Sequence, residues 1–162
     1  MVSKKIIKEN GVIEYRNRNR KPHREDGPAV IRPDGTNFWY IKGKLHRKDG
    51  PAVIRPDGYQ AWYINGERHR EDGPAIICMN GAKEYWLNGK IHREDGPAII
   101  YSDGYQAWWL NSKRHRKDGP AVIYPNGAKE YWLDNKKVVE EEIIKIKVKT
   151  LKDTKINFGI KN

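Results

Sequence analysis

Five histidines, His23, His46, His69, His92 and His115, recur every 23 residues, and each opens the motif His-Arg-x-Asp-Gly-Pro-Ala. An imidazole with a carboxylate three residues on has two chemical uses, as part of a metal ligand set or as a general-base dyad. The spacing speaks against both. If the repeats stack as pairs of strands, equivalent residues sit about 10 Å apart, too far for two imidazoles to share a zinc ion at bond lengths near about 2.1 Å. A dyad needs a nucleophile within hydrogen-bond reach, and Ser3, Ser102, Ser112 and Cys78 fall at unrelated places in the repeat. No catalytic residue, metal site or cofactor is therefore assigned, and the chain reads as a non-enzyme. The histidines and the aspartates Asp26, Asp49, Asp72, Asp95 and Asp118 read as structural. Each imidazole is expected to hydrogen-bond inside its own loop, with that aspartate as first candidate, because recurring buried polar groups are paired.

The row Arg24, Arg47, Arg70, Arg93 and Arg116 is the stronger candidate for touching a ligand. Guanidiniums repeated at such steps can meet phosphates, carboxylates or an acidic protein surface. The competing role is internal pairing with the motif's own aspartate, or with Glu25, Glu71 and Glu94. Aromatic residues form further rows. Along the second strand of each unit, Tyr40, Tyr63, Trp86, Trp109 and Trp132 share one face. Trp39, Trp62, Tyr85, Trp108 and Tyr131 share the other with Ile41, Ile64, Leu87, Leu110 and Leu133, because side chains alternate along a strand. Exposed members of the first row suit a protein-binding stripe, since Trp, Tyr and Arg are favoured at interface hot spots; core packing is the alternative. Repeats two and four carry Tyr-Gln-Ala-Trp where three and five carry Ala-Lys-Glu-Tyr-Trp, which sets Tyr59 and Tyr105 against Ala82 and Ala128 as large–small pairs.

The elements that must position these rows are short. Each unit holds Ala-Val/Ile-Ile, a turn ending in Asp-Gly or Asn-Gly, an aromatic strand, and in most units a second Asn-Gly-type turn. Such dipeptides tolerate positive φ in hairpins, and no unit has room for a helix. Both strand faces are partly apolar, so each unit needs its neighbours to bury its aromatics, which is the logic of a repeat array. The expected fold is all-β: five tandem β-hairpin units (23–45, 46–68, 69–91, 92–114 and 115–137) forming an elongated twisted antiparallel sheet or solenoid. Residues 1–22 read as a basic leader and partial-repeat cap, with Val12-Ile13-Glu14-Tyr15 mimicking a second strand. Residues 138–162 read as a small C-terminal cap, a helix near Val139–Lys145 followed by a strand in the alternating Ile144-Lys145-Ile146-Lys147-Val148-Lys149.

Composition bounds the remainder. Apolar residues make up 37% and charged residues 33% of the 162, with 6 Trp and 9 Tyr. Aliphatic content this low points to disorder unless the aromatics, each burying a large area, complete the core. The formal charge of +11 divides as +5 in residues 1–22, +4 in the repeats and +2 in the tail, so the array is nearly balanced. The leader's Arg16, Arg18, Arg20 and Lys21 are thus the densest basic feature, able to contact phosphate, with a solvated surface as the alternative. A lone cysteine, Cys78, allows no internal disulfide framework or thiolate zinc site and suits a reducing setting. Neither a secretory signal nor a membrane span is visible, so a soluble, cytoplasmic protein with no membrane partner is expected.

The units Asn-Gly-x-x-His-Arg-x-Asp-Gly-Pro-Ala and Asp-Gly-x-x-x-Trp-Tyr-x-Asn-Gly resemble variant MORN-type repeats, and the His-Arg-x-Asp-Gly-Pro-Ala form is similar to arrays encoded by bacteriophages and giant viruses. The resemblance covers residues 23–137 and implies an interaction platform. The familiar MORN unit has Gly soon after its His where this chain has Arg-x-Asp-Gly-Pro, so lipid binding is not carried over. The resulting expectation is a non-enzymatic viral, phage-type protein that binds and sequesters or inhibits a host protein such as a defence factor. The alternative is binding of nucleic acid or a phosphorylated nucleotide through the arginine row and leader, and a structural virion or scaffold component is the third reading.

Overall fold

Each repeat folds as two hairpins because it carries two different turn sequences. In repeat two, Val53–Ile54 pairs antiparallel with Gln60–Ala61, Val53 opposite Ala61. Their connection closes with Arg55 N–H donating to the Tyr59 carbonyl (3.0 Å) and Gly58 N–H donating to the Arg55 carbonyl (3.1 Å). Pro56 pre-sets its φ, and the Asp57 carboxylate accepts the Tyr59 N–H at 2.8 Å. Gly58 alone takes a positive φ, 88°. This is a type I turn with a glycine bulge, so Asp-Gly here needs one left-handed residue rather than two. The second turn, Asn65-Gly66, has both residues left-handed, at 53° and 89°. That is type I′ geometry, which matches the twist of a two-residue hairpin; it joins Tyr63–Ile64 to Glu67–Arg68. No atom would meet a Cβ added at Gly58, so Gly58→Ala is a pure backbone test. It is expected to cost about 1 kcal/mol, read as a lower urea midpoint, with Gly58→Asn less damaging.

The computed structural model describes residues 3–158. The fold is all-β with one C-terminal helix, and its contacts cluster into two compact units, Met1–Lys90 and Ile91–Asn162. In the first unit each strand is antiparallel to the next through Lys4–Ile7, Ile13–Arg16, Val30–Ile31, Asn37–Phe38, Val53–Ile54, Gln60–Ala61, Ile76–Ile77 and Lys83–Glu84. The second unit continues in the same manner through Ile99–Ile100, Gln106–Ala107, Val122–Ile123, Lys129–Leu133 and Lys136–Val138. Strands stay short because Trp39, Trp62 and Trp108 donate their N–H groups to Ala52, Ala75 and Ala121 of the following repeat (2.8 Å each), where the chain passes from one hairpin into the other.

Two faces divide the apolar residues. One carries a cluster of Val53, Ala61 and Ile76 in the first unit and of Ile99, Ala107 and Val122 in the second. The other carries the motif alanines Ala29, Ala52, Ala75, Ala98 and Ala121, every one at 0% exposure.

Both ends depart from the expected detail. The basic leader is a hairpin, Lys4–Ile7 against Ile13–Arg16, paired in register with the first repeat. Its basic run is a closed turn in which the Asn17 side-chain carbonyl accepts the N–H groups of Asn19 (3.0 Å) and Lys21 (3.1 Å). At the other end the terminal strand is Lys136–Val138, and the segment read as a strand, 144–149, lies within a single helix, Glu140–Phe158. Alternating Ile and Lys satisfies period 2, but Ile143 and Ile146, three apart, are the residues that dock: Ile143 is 3% exposed and Ile146 half-buried. Glu140, Glu141 and Glu142 in the first turn favour the helical alternative through the macrodipole, and the Tyr131 hydroxyl donates to Glu140 Oε1 at 2.5 Å. No helix among the described residues is long and apolar enough to cross a membrane.

Candidate functional site

The His-Arg-x-Asp-Gly-Pro loop is built from its arginine. In each loop the guanidinium Nε donates to the aspartate two residues on, at 2.8 Å for Arg24–Asp26, 3.3 Å for Arg47–Asp49, 2.9 Å for Arg70–Asp72, 2.8 Å for Arg93–Asp95 and 2.7 Å for Arg116–Asp118. A terminal nitrogen donates to the proline carbonyl of the same motif, as from Arg70 to Pro74 and from Arg116 to Pro120 (3.3 Å each). The guanidinium plane lies over an aromatic ring of the preceding repeat, with Arg47 4.3 Å from Trp39 and Arg70 and Arg116 each 4.1 Å from Trp62 and Trp108. The motif glycine makes room for it. A Cβ at Gly73 would stand 3.1 Å from the Arg70 guanidinium carbon. Every residue of Arg-x-Asp-Gly-Pro thus serves one clamp joining two repeats.

The arginine row is therefore not an array of unpartnered cations, although nearly a quarter of each side chain stays exposed (23% to 24%). Hydrogen bonds from Arg24, Arg70, Arg93 and Arg116 hold the carboxyls of Asp26, Asp72, Asp95 and Asp118 below the ordinary aspartate range. A depressed folded-state pKa contributes stability that is fully present above the unfolded value and is lost as pH falls through the folded one. The urea midpoint is accordingly expected to fall below about pH 4, the ordinary aspartate value. Asp72→Asn and Asp95→Asn should each flatten that acid slope; an unchanged slope would remove these pairs from the account.

The histidines do not pair with the motif aspartates, which the arginines occupy. Their Nδ1 atoms accept backbone N–H groups from the second turn, 19 residues on. Lys42 donates to His23 and Asn65 to His46 at 3.1 Å, and Asn88, Asn111 and Asp134 donate to His69, His92 and His115 at 3.2 Å. Nδ1 of His46, His69 and His115 also stands 3.1, 2.8 and 3.2 Å from the side-chain oxygens of Asn65, Asn88 and Asp134, and Nε2 of His23, His69 and His92 faces Glu25, Glu71 and Glu94 at 3.4, 3.6 and 3.6 Å. Each histidine thus ties its loop to a type I′ turn. His69→Ala should leave the Asn88 amide without that acceptor, at a cost of about 1 kcal/mol, seen as faster hydrogen exchange at Asn88 than at Asn65.

Between successive clamps lie clefts of one design. One is formed by Arg24, Glu25, Asp26, Arg47, Lys48 and Asp49 over Trp39 and Ile41, with a volume of about 590 Å³. The next, about 700 Å³, uses Arg47, Lys48, Asp49, Arg70, Glu71 and Asp72 over Trp62 and Ile64. In the second unit Arg93, Glu94, Asp95, Arg116, Lys117 and Asp118 enclose about 620 Å³ over Trp108 and Leu110. Each cleft sets three cations against three carboxylates and has a formal charge of zero. None is lined by serine, threonine or cysteine. No family model matches the chain, and no curated protein sequence matches it.

The aromatic row expected to bind faces inward. Tyr63 and Trp86 pack on the Val53 cluster, and Trp109 and Trp132 pack on the Ile99 cluster. Tyr40 meets Phe38 at 6.3 Å between ring centroids. The row that floors the clefts is the other one, Trp39, Trp62 and Trp108. The pairing of Tyr105 with Ala128 is also replaced: Ala128 is exposed, while Tyr105 stacks on Tyr101 (5.3 Å) and meets Tyr124 edge-on (5.7 Å). In the leader, Arg16 Nε donates to Glu14 at 2.7 Å and Lys8 joins the same carboxylate. Burial alone would raise the Glu14 carboxyl, but the bonds from Lys8 and Arg16 outweigh it and hold the group below its usual value. Arg18, Arg20 and Lys21 are exposed. The sequence reading passed over Arg68 and Arg114, which stand over Trp86 (4.7 Å) and beside Trp109 and Trp132 (5.2 and 5.1 Å). The signal was the alternation Leu45, Arg68, Ile91, Arg114 at one repeat position.

Proposed function

We propose that the chain is a non-enzymatic repeat platform that binds a partner protein along its inter-loop clefts. The observation that carries this reading is the recurrence of one cleft, floored by Trp39 and Trp62 at successive repeats of the first unit and by Trp108 in the second, each balanced in charge. A repeated site suits an extended polymer. Charge then favours polypeptide over nucleic acid, because phosphate binding draws on a net positive surface and each cleft has none. Tryptophan beside arginine is the composition of a protein hot spot, and the resemblance to MORN-type interaction arrays supports the same class. On that resemblance, the partner is a host protein that a phage gains by sequestering.

The test is affinity capture with the full chain and with Trp108→Phe, which keeps an aromatic ring under Arg116 but removes the indole. A stoichiometric polypeptide that stays bound above about 0.2 M salt, and is lost or weakened with the variant, is expected. Capture of nucleic acid alone, released between about 50 and 200 mM salt as phosphate contacts are, would sink the proposal and point to Arg18, Arg20 and Lys21.

A further inference from the structure

Repeats three and five each place a glutamate two residues before an inward-facing tryptophan, on the same strand face. Trp86 Nε1 donates to Glu84 Oε2 at 2.8 Å, and Trp132 Nε1 donates to Glu130 Oε2 at 2.9 Å. Repeat four has the tryptophan without the acid: its glutamate position is Ala107, wholly buried. Trp109 Nε1 is correspondingly buried and has no hydrogen-bond partner among the described residues.

A second donor beside it is in the same condition. Arg114, the cross-strand neighbour of Trp109, has a buried Nε with no hydrogen-bond partner among the described residues. Its counterpart in repeat two, Arg68, donates Nε to the Tyr63 hydroxyl at 3.3 Å and stands 4.0 Å from Glu84 Oε2. Trp109 occupies the Tyr63 position in repeat four, and an indole N–H cannot accept. Repeat four thus has neither the glutamate of repeats three and five nor the tyrosine of repeat two beside these donors. The carboxylate Glu130 is engaged by Trp132 and by Lys137 (2.8 Å).

Buried donors are almost always satisfied, because an unmet one forfeits its hydration with nothing in return. We infer that this patch of repeat four binds a carboxylate supplied from outside the chain. The missing group is negative and acceptor-only, able to take one bond from an indole, as Glu84 and Glu130 do from Trp86 and Trp132, and one from a guanidinium. Both donor atoms are covered, and Tyr105, packed on the same cluster as Trp109, stacks on Tyr101. Entry therefore requires a local opening of the side chains that cover them. The inference rests on the protein-binding proposal only for the carrier, an Asp or Glu side chain of the partner. The carboxylate itself is tested with small molecules.

The full chain labelled with ¹⁵N presents the indole N–H signals of 6 tryptophans, and Trp109 is assigned by its loss in Trp109→Phe. Titration with sodium acetate, and with a tripeptide containing one glutamate, is expected to move the Trp109 signal saturably, while sodium chloride at matched ionic strength leaves it in place. Ala107→Glu should shift that signal before any ligand is added and abolish its response to acetate. Arg114→Met should also abolish the response, and it serves if Ala107→Glu fails to fold. A Trp109 signal that ignores acetate, or that responds unchanged in Ala107→Glu or Arg114→Met, overturns the inference. So does an exchange peak from a bound water on that proton without a carboxylate response. Inorganic phosphate moving the signal as far as acetate would overturn the assignment to carboxylate. Failure here leaves the cleft proposal standing, since the clefts use Trp108 and Arg116 instead.

Discussion

Trp62→Ala is expected to lower the stability of the first unit by about 3 kcal/mol, the lower end of what truncating a large aromatic costs in a packed site. The ring is half-buried, which keeps the figure from being larger. It floors the cleft with Ile64 and carries the Arg70 guanidinium 4.1 Å above its centroid. Truncation removes the apolar area and also leaves Arg70 tied to Asp72 and the Pro74 carbonyl with no ring beneath it. A partly desolvated cation over an indole contributes about 1 kcal/mol, so the two residues should be coupled. A double-mutant cycle of Trp62→Ala with Arg70→Met, followed by far-UV circular dichroism in urea, should give a coupling of about 1 kcal/mol. Trp62→Phe retains a ring face and should cost far less than Trp62→Ala. If the cycle is additive, the guanidinium and the ring do not act together, and the motif arginine is held by Asp72 and Pro74 alone.

This coupling also marks what could be read before the fold was seen. The 23-residue period, the two turn types and the alternation of faces are local properties, and residues such as Gly58, Asn65 and Ala61 carry them in their own chemistry. The role of His69, and part of that of Arg70, is not local. The amide that His69 accepts belongs to Asn88, 19 residues away, and becomes available only because a type I′ turn points it inward. Arg70 pairs locally with Asp72 and the Pro74 carbonyl, but its third partner, the Trp62 ring of the preceding repeat, is not revealed by spacing within one motif. The motif aspartate is open to either neighbour by composition, histidine or arginine, and the structure gives it to the arginine. At the C-terminus, alternation over 144–149 fits a strand while the spacing of Ile143 and Ile146 fits a helix. Only the docking of those two isoleucines decides between them.

The motif alanine completes this picture, and its replacement should be the second large effect. Ala75 is wholly buried, and its carbonyl accepts the Trp62 N–H at 2.8 Å, so backbone and side chain are both fixed where one repeat meets the next. The same 0% exposure holds at Ala29, Ala52, Ala98 and Ala121. The Ala75 side chain has no exposed surface into which a longer one could extend, so a larger residue must displace its neighbours. Ala75→Leu is therefore expected to destabilise the first unit by about 2 kcal/mol through overpacking, despite adding apolar surface. Ala128, exposed in the turn before Lys129–Leu133, is the control: Ala128→Leu should stay within about 0.5 kcal/mol of the parent. Both are read as urea midpoints at constant m-value. Ala75→Leu should also loosen the cleft above Trp62, so its partner capture should fall along with its stability, whereas Ala128→Leu should leave capture unchanged. Equal midpoints for the two variants would mean that the face beneath the clamps is loosely filled, and that the row of clefts is not held to a fixed shape by its alanines.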